Sequence, residues 1–169
     1  CLGQGGMGVV YRARDRKVND RQIALKLMSS VLIRDAEAKQ RFVQEVEAAQ
    51  RLRHENIVTV YHLDEHQGRD FFLMEYVPGK SLRELMLERK QENKTFSLEE
   101  ACAILLPVLF ALSHAHSQGV IHRDLKPENI MVSGDFPEIQ IKVLDFGLAR
   151  IMSPSRLTSS ATAMGTVGY

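Results

Sequence analysis

The pattern of apolar residues changes character near residue 77, from mostly strand-like alternation to mostly helical recurrence, and that change constrains the fold more than any other feature. It predicts two lobes, a sheet-rich one over 1–77 and a helix-rich one from 78 onward. In the first, Val9 to Arg14 and Gln22 to Met28 alternate around a charged segment containing Asn19 and Asp20, as an antiparallel hairpin would. Ala36 to Leu52 puts Phe42, Val46, Ala49 and Leu52 on one helical face and charge on the other, which reads as a surface helix laid on a sheet. Ile57 to Leu63 and Phe71 to Val77 flank the turn-prone Gln67-Gly68-Arg69-Asp70 and read as a second hairpin. After Pro78-Gly79, Ser81 to Arg89 is helical; Ser97 with Glu100 predicts a capping box that opens a long helix to Ser117, and Gly119 is its stop. Two short apolar runs, Ile130 to Val132 and Ile139 to Leu144, meet at a turn over Ser133-Gly134-Asp135.

Composition sets the outer bounds. With 44% hydrophobic and 25% charged residues the chain is of ordinary globular make-up. A net charge of +1 gives no electrostatic case for a nucleic-acid or membrane-surface partner. The longest apolar stretch, Ala101 to Leu112, contains Pro107 and falls short of the roughly 20 residues a spanning helix needs. It is expected to be a buried helix. Cys1 and Cys102 show no metal-ligand spacing, and no targeting segment is visible, so a reduced, cytoplasmic location is expected.

Four segments carry chemistry. Gly3-Gln4-Gly5-Gly6-Met7-Gly8 fits Gly-x-Gly-x-x-Gly, in which missing side chains let backbone amides approach phosphate oxygens. A dinucleotide-binding turn uses the same pattern but opens a helix, whereas this chain runs on into a strand. A plain flexible turn is the other alternative. Ile23-Ala24-Leu25-Lys26 places a lysine in an apolar strand, where its ammonium could reach two phosphates or simply lie along the sheet edge. A buried lysine needs a partner charge; Glu45 on the following helix is the candidate, and Glu47 is its rival because the helix rotation is open. In His122-Arg123-Asp124-Leu125-Lys126-Pro127-Glu128-Asn129, the Asp124 carboxylate suits a hydroxyl proton, the Asn129 amide oxygen suits a hard cation, and Lys126 between them can offset phosphoryl charge. Asp145-Phe146-Gly147 presents a carboxylate at a strand end, which with Asn129 would suit magnesium.

These segments stand in the order glycine loop, strand lysine, helix glutamate, His-Arg-Asp with its lysine and asparagine, then Asp-Phe-Gly. In that order the chain resembles the eukaryotic-type (Hanks-type) protein serine/threonine kinases over its whole length, and the run Gly5 to Asp15 is especially similar to bacterial members. The resemblance implies an α+β, bilobal fold: a five-stranded antiparallel N-lobe with one helix over 1–77, and the first part of a mainly helical C-lobe over 78–169. It implies ATP and Mg²⁺ as cofactors, with Leu2, Gly3, Gln4, Gly5, Gly6, Met7 and Gly8 over the nucleotide. Val10 and Ala24 would sandwich the adenine with Met131 below it and Met74 at the back, while backbone groups of Glu75 and Val77 would bond its edge. The comparison favours Glu45 over Glu47 as the partner of Lys26, makes Asp124 the base, and assigns the metal to Asn129 and Asp145.

Lys126 in Asp-Leu-Lys-Pro-Glu-Asn is similar to the serine/threonine type, so the implied partners are protein substrates bearing Ser or Thr, with a kinase dimer for trans-autophosphorylation. Arg123 before Asp124 resembles kinases switched by activation-loop phosphate, which points to Thr158 and Ser160 as regulatory sites and to Thr166 as a contact of the catalytic aspartate. The family continues past the position of Tyr169 into further helices, so the chain is expected to be a piece of a longer kinase, under-covered and inactive when isolated. A silent pseudokinase or scaffold is the alternative, although none of the residues whose loss would mark one is missing. Small-molecule phosphotransferases share the aspartate and asparagine without this glycine loop and Asp-Phe-Gly.

Overall fold

The computed structural model describes residues 1–31, 33 and 35–146. Five strands, β1 (Gly3–Gly5), β2 (Gly8–Asp15), β3 (Arg21–Met28), β4 (Val60–His66) and β5 (Arg69–Glu75), form one antiparallel sheet in the order β1-β2-β3-β5-β4. The β3 sequence buries Ile23, Ala24, Lys26 and Met28, because it lies at the centre of the sheet with β2 and β5 on either side. Helix α1 (Ala36–Arg51) begins at Asp35, whose side chain accepts the Ala38 N–H at 2.8 Å. It buries Ala38, Phe42, Val46 and Ala49, spaced by four, four and three residues, and the last three join Ala24, Met28, Val60, Phe72 and Met74 in one apolar cluster.

A second cluster lies under the helical half. Helix α2 (Leu82–Gln91) and helix α3 (Leu98–Ser117) each start with a full capping box, Ser81 with Glu84 and Ser97 with Glu100. The box on α3 is the one the sequence predicts; that on α2 is additional. Helix α3 stops as expected, with Gly119 at φ 74° and the Val120 N–H returning to the Ala115 carbonyl at 2.9 Å. A small antiparallel sheet, β6 (Lys80–Ser81), β7 (Ile130–Ser133) and β8 (Gln140–Val143), takes the order β6-β7-β8.

Helix α3 departs from the expected buried helix. Its inner stripe Ile104, Val108, Ala111 and Ala115 is buried and packs toward β8, but Leu105, Leu106, Leu109 and Phe110 are all more than half exposed. The apolar residues run around the helix, and the described residues cover only one side of it. Pro107 forfeits one helical hydrogen bond without ending the helix. At 20 residues with a mean hydropathy of 1.5, α3 is longer than the unbroken apolar run and has the length and composition of a membrane span, yet its inner stripe is committed to the protein core.

The expected strand from Ile57 is also revised. β4 begins at Val60, because the backbone just before it is used elsewhere: Val58 N–H donates to the Val143 carbonyl at 3.0 Å, and Val143 N–H to the Asn56 carbonyl at 2.8 Å. Asn56 Nδ2 adds a bond to the Ile141 carbonyl at 3.0 Å. The loop after α1 is thereby sewn to β8, and the two halves of the chain are joined at the point where the site lies.

Candidate active site

The sheet register sets the upper wall. Val10 is paired with Lys26, Lys26 with Phe72, and Ala24 with Met74. Directly paired residues share a face, and so do positions two apart on one strand, so Val10, Ala24, Lys26, Phe72 and Met74 all project from the same side. Met7, Val10, Val77 and Leu144 pack around the cluster that contains Ala24 and Met74. Met131, in β7, lies opposite Lys142 and is half-buried. At the end of β5 the Glu75 N–H donates to the Thr59 carbonyl at 2.9 Å, so the carbonyl is the backbone group of that residue that a base could meet.

The glycine segment forms a tight hairpin, with Gly3 opposite Val10, Gln4 opposite Val9 and Gly5 opposite Gly8, and with the Leu2 N–H on the Val10 carbonyl at 2.7 Å. It opens no helix, which removes the dinucleotide-turn alternative. The glycines differ in why they are needed. Gly8 has φ 140°, and a Cβ there would sit 2.0 Å from the Leu27 carbonyl oxygen, so the fold itself demands glycine. At Gly3 and Gly5 a Cβ would meet nothing within 4 Å. The fold has room for side chains there, and their absence leaves clear space beside the sheet.

Lys26 is 5% exposed, and an ammonium so buried requires a counter-charge. Its Nζ lies 2.6 Å from Asp145 Oδ2, 3.9 Å from Met7 Sδ and 5.9 Å from the centre of the Phe72 ring. This corrects the expected pairing: the ion pair that Lys26 makes is with Asp145, not with Glu45. The reason is geometric. Asp145, two residues after the end of β8, adopts a left-handed backbone, φ 57°, and its carboxylate reaches the lysine. On α1, Glu45 is half-buried on the side of Phe42 and Val46, and Glu47 is exposed.

Below, Asp124, Lys126 and Asn129 form a second cluster. Lys126 Nζ donates to Asp124 Oδ2 at 2.7 Å, and Asn129 Nδ2 donates to the Asp124 carbonyl at 2.8 Å and to Oδ2 at 3.3 Å. The hydrogen bond from Lys126 is the main reason the Asp124 carboxyl is held below its ordinary value, and the Lys126 ammonium is raised by the same bond. Asp124 is therefore an anion that accepts hydrogen bonds at neutral pH. Asn129 is 8% exposed and sits on a short 3₁₀ turn, Pro127–Asn129; with Nδ2 committed, its Oδ1 is the atom able to bind a hard cation.

His122, which the sequence reading left without a role, links the two clusters. It is 2% exposed; its Nδ1 accepts the Asp124 N–H at 3.3 Å, so the proton lies on Nε2, which donates to the Leu144 carbonyl at 2.8 Å. Its ring also meets Phe146, centroid to centroid 4.7 Å. Burial lowers its pKa, against smaller raising effects from the Leu144 carbonyl, Asp145 and Asp124, so it is a neutral strut. The Leu144 N–H in turn donates to the Asn129 carbonyl at 2.8 Å. Asn129 and Asp145 are thus fastened to neighbouring backbone, and a two-oxygen donor set completed by phosphate oxygens is the usual way magnesium is held. Among the described residues no group of three or more His, Cys, Asp or Glu side chains could hold a metal. Arg123 is exposed at φ 66° beside Asp124. Gly147, Thr158, Ser160 and Thr166 lie outside the described residues.

Comparison with known proteins places this arrangement. Residues 1–169 match the family described as the protein kinase domain. The chain is 37% identical over 168 residues to a probable serine/threonine-protein kinase, PknB, of Lactococcus lactis, covering 99% of this chain and 26% of that protein. It is 38% identical over 168 residues to the serine/threonine-protein kinase PknL of Mycobacterium tuberculosis, covering 99% of this chain and 40% of that one. The crystal structure of the Mycobacterium tuberculosis PknI kinase domain superposes with a TM-score of 0.74 at 33% identity, over 86% of this chain and 57% of that one. The chain spans well under half the length of the two curated relatives and a little over half of the solved kinase domain.

Proposed function

This chain belongs to the protein kinase domain family, and on that premise we propose that it transfers the γ-phosphoryl group of ATP to serine and threonine hydroxyls of proteins. The observation that carries the proposal is the meeting of Lys26 with Asp145, 119 residues apart, linked through His122 to a cluster of Asp124, Lys126 and Asn129. Phosphoryl transfer asks a protein mainly to position groups and to offset charge, and these five side chains supply two cations, two carboxylates and an amide.

In this reading the open space beside Gly3 and Gly5 admits the triphosphate, and Lys26 binds its oxygens. Asp145 and Asn129 hold Mg²⁺, which when bound supplies positive charge to the phosphate oxygens. The wall of Val10, Ala24, Met74 and Met131 receives the adenine, and its edge meets the backbone at Glu75 and Val77. The substrate hydroxyl donates its hydrogen bond to Asp124. As the hydroxyl oxygen bonds to the γ-phosphorus and the bond to the bridging oxygen breaks, Asp124 takes the proton and ADP leaves. The low pKa of Asp124 makes it a weak base, so it orients the hydroxyl and receives the proton late. Lys126, hydrogen-bonded to Asp124, faces the charge that moves across.

Activation-loop control belongs to the same proposal. The exposed Arg123 offers a guanidinium next to Asp124, where a phosphate on Thr158 or Ser160 would neutralise it and order the loop. Mass spectrometry after incubation with ATP should find phosphate on those residues; phosphate only elsewhere contradicts their assignment. The reaction class is tested by phosphoamino-acid analysis of a general protein substrate labelled by the full-length protein with ATP and Mg²⁺. Phosphoserine and phosphothreonine without phosphotyrosine are expected. Label on tyrosine, or no label at all, refutes the reading.

A further inference from the structure

Lys142 is a second lysine in an apolar strand. It lies in β8, three residues before Asp145, in Gln140-Ile141-Lys142-Val143, between the buried Ile141 and Val143. Its Nζ lies 2.8 Å from Glu75 Oε2 and 3.4 Å from the Ile57 carbonyl. The same Glu75 oxygen accepts the Thr59 N–H at 3.2 Å. Both side chains are about three-quarters covered, 21% exposed for Lys142 and 26% for Glu75. The pair therefore ties three segments together: the loop before β4, the end of β5, and the strand that delivers Asp145.

Its position matters because the two ends of a bound nucleotide would be held by different halves of the chain. The adenine edge meets the segment that begins at Glu75, and the phosphates and metal meet the end of β8. The Glu75 side chain points back from that segment onto β8, and Lys142 lies directly opposite Met131, the expected floor under the adenine. The backbone bonds between Val143 and Asn56 and Val58 hold the same junction, and the Glu75 N–H on the Thr59 carbonyl continues it to the end of β5 through residues 58 and 59. The ion pair is the side-chain contact that joins β8 directly to the end of β5.

We propose that the Lys142–Glu75 pair sets the spacing between the adenine-binding edge and the Asp145 end of β8, so that Lys142 is a positioning residue for nucleotide affinity. This rests on the kinase reading above. Removing the pair should loosen the base-binding end while leaving the transfer step, which depends on Asp124, Lys126 and Asp145, intact. A coupling of the size typical for partly covered ion pairs corresponds to about three- to tenfold in binding.

The test measures, on the full-length protein, the dissociation constant for a non-hydrolysable ATP analogue with Mg²⁺, the KM for ATP, kcat and the melting temperature. For Lys142→Met the dissociation constant and KM should rise about three- to tenfold, with kcat changed less than about twofold. Lys142→Arg should stay near the parent, and Glu75→Lys combined with Lys142→Glu should bind more tightly than Lys142→Glu alone. If Lys142→Met does not fold, Lys142→Gln serves the same comparison. Unchanged affinity in Lys142→Met, or a fall in kcat and melting temperature with KM unmoved, overturns the proposal while a parent that still phosphorylates protein upholds the kinase reading. A parent that binds no nucleotide overturns both. A parent that binds but transfers nothing overturns only the kinase reading, and the change in the dissociation constant then decides the role of Lys142.

Discussion

Two lysine–aspartate pairs, linked through His122, make up this site, and they differ in almost everything except their length. Lys26 and Asp145 meet at 2.6 Å across 119 residues of chain, with side chains 6% and 19% exposed. Lys126 and Asp124 meet at 2.7 Å across two residues, with side chains 47% and 34% exposed. The buried pair is held by the whole fold: the β3 register, the β8 turn and the seam between the halves. The exposed pair is a property of one loop. Burial makes the first a structural commitment as well as a chemical one, whereas the second can exchange partners at little cost when a substrate arrives.

The comparison breaks if the buried pair can be cut cheaply. Asp145→Ala leaves the Lys26 ammonium without its partner in the core, and the expected loss is about 3–5 kcal/mol of stability, read from denaturant unfolding. Loss below about 1 kcal/mol would show that the burial is not what holds Lys26.

The strut between the pairs gives the next largest effect. His122 is neutral in the folded chain because burial lowers its pKa below 6.5, so the unfolded chain binds the proton more readily. Stability from the neutral ring is complete above 6.5 and is lost as pH falls below that value toward the lowered folded one. Unfolding midpoints between about pH 5 and about pH 7.5 should therefore rise with pH, and His122→Asn should flatten that rise. An equal slope in both proteins would remove His122 from this role.

The smallest stability effect should come from the exposed pair. Lys126→Ala should cost less than about 1 kcal/mol, because the pair is solvated and local, while phosphotransfer falls steeply. A stability loss as large as that of Asp145→Ala would erase the distinction between the two pairs.

The unequal legibility of the two pairs follows from the same physics. Asp124, Lys126 and Asn129 are close in sequence, and their cluster could be read from spacing alone. The partner of Lys26 could not, since it depends on where the left-handed turn at Asp145 directs a carboxylate and on how α1 is placed. The hairpins, α1 and the capping box of α3 were readable because period and end signals are local. The start of β4 was misjudged because Ile57 and Val58 look like strand but bond across to β8. Which residues of α3 stay uncovered was not legible, because an apolar residue on a helix does not say which neighbours cover it. Lys142 carried the signal used for Lys26, a lysine in an apolar strand, and His122 was hidden by the more conspicuous residues beside it.

The central claim is that Asp124 receives the hydroxyl proton in transfer from ATP to protein. It is tested most directly by measuring kcat for phosphorylation of a protein substrate by the full-length parent and its Asp124→Asn variant, with nucleotide binding measured in both. The account predicts a fall of about 10²–10⁴-fold in kcat with nucleotide affinity kept. Equal rates in the two proteins would contradict it.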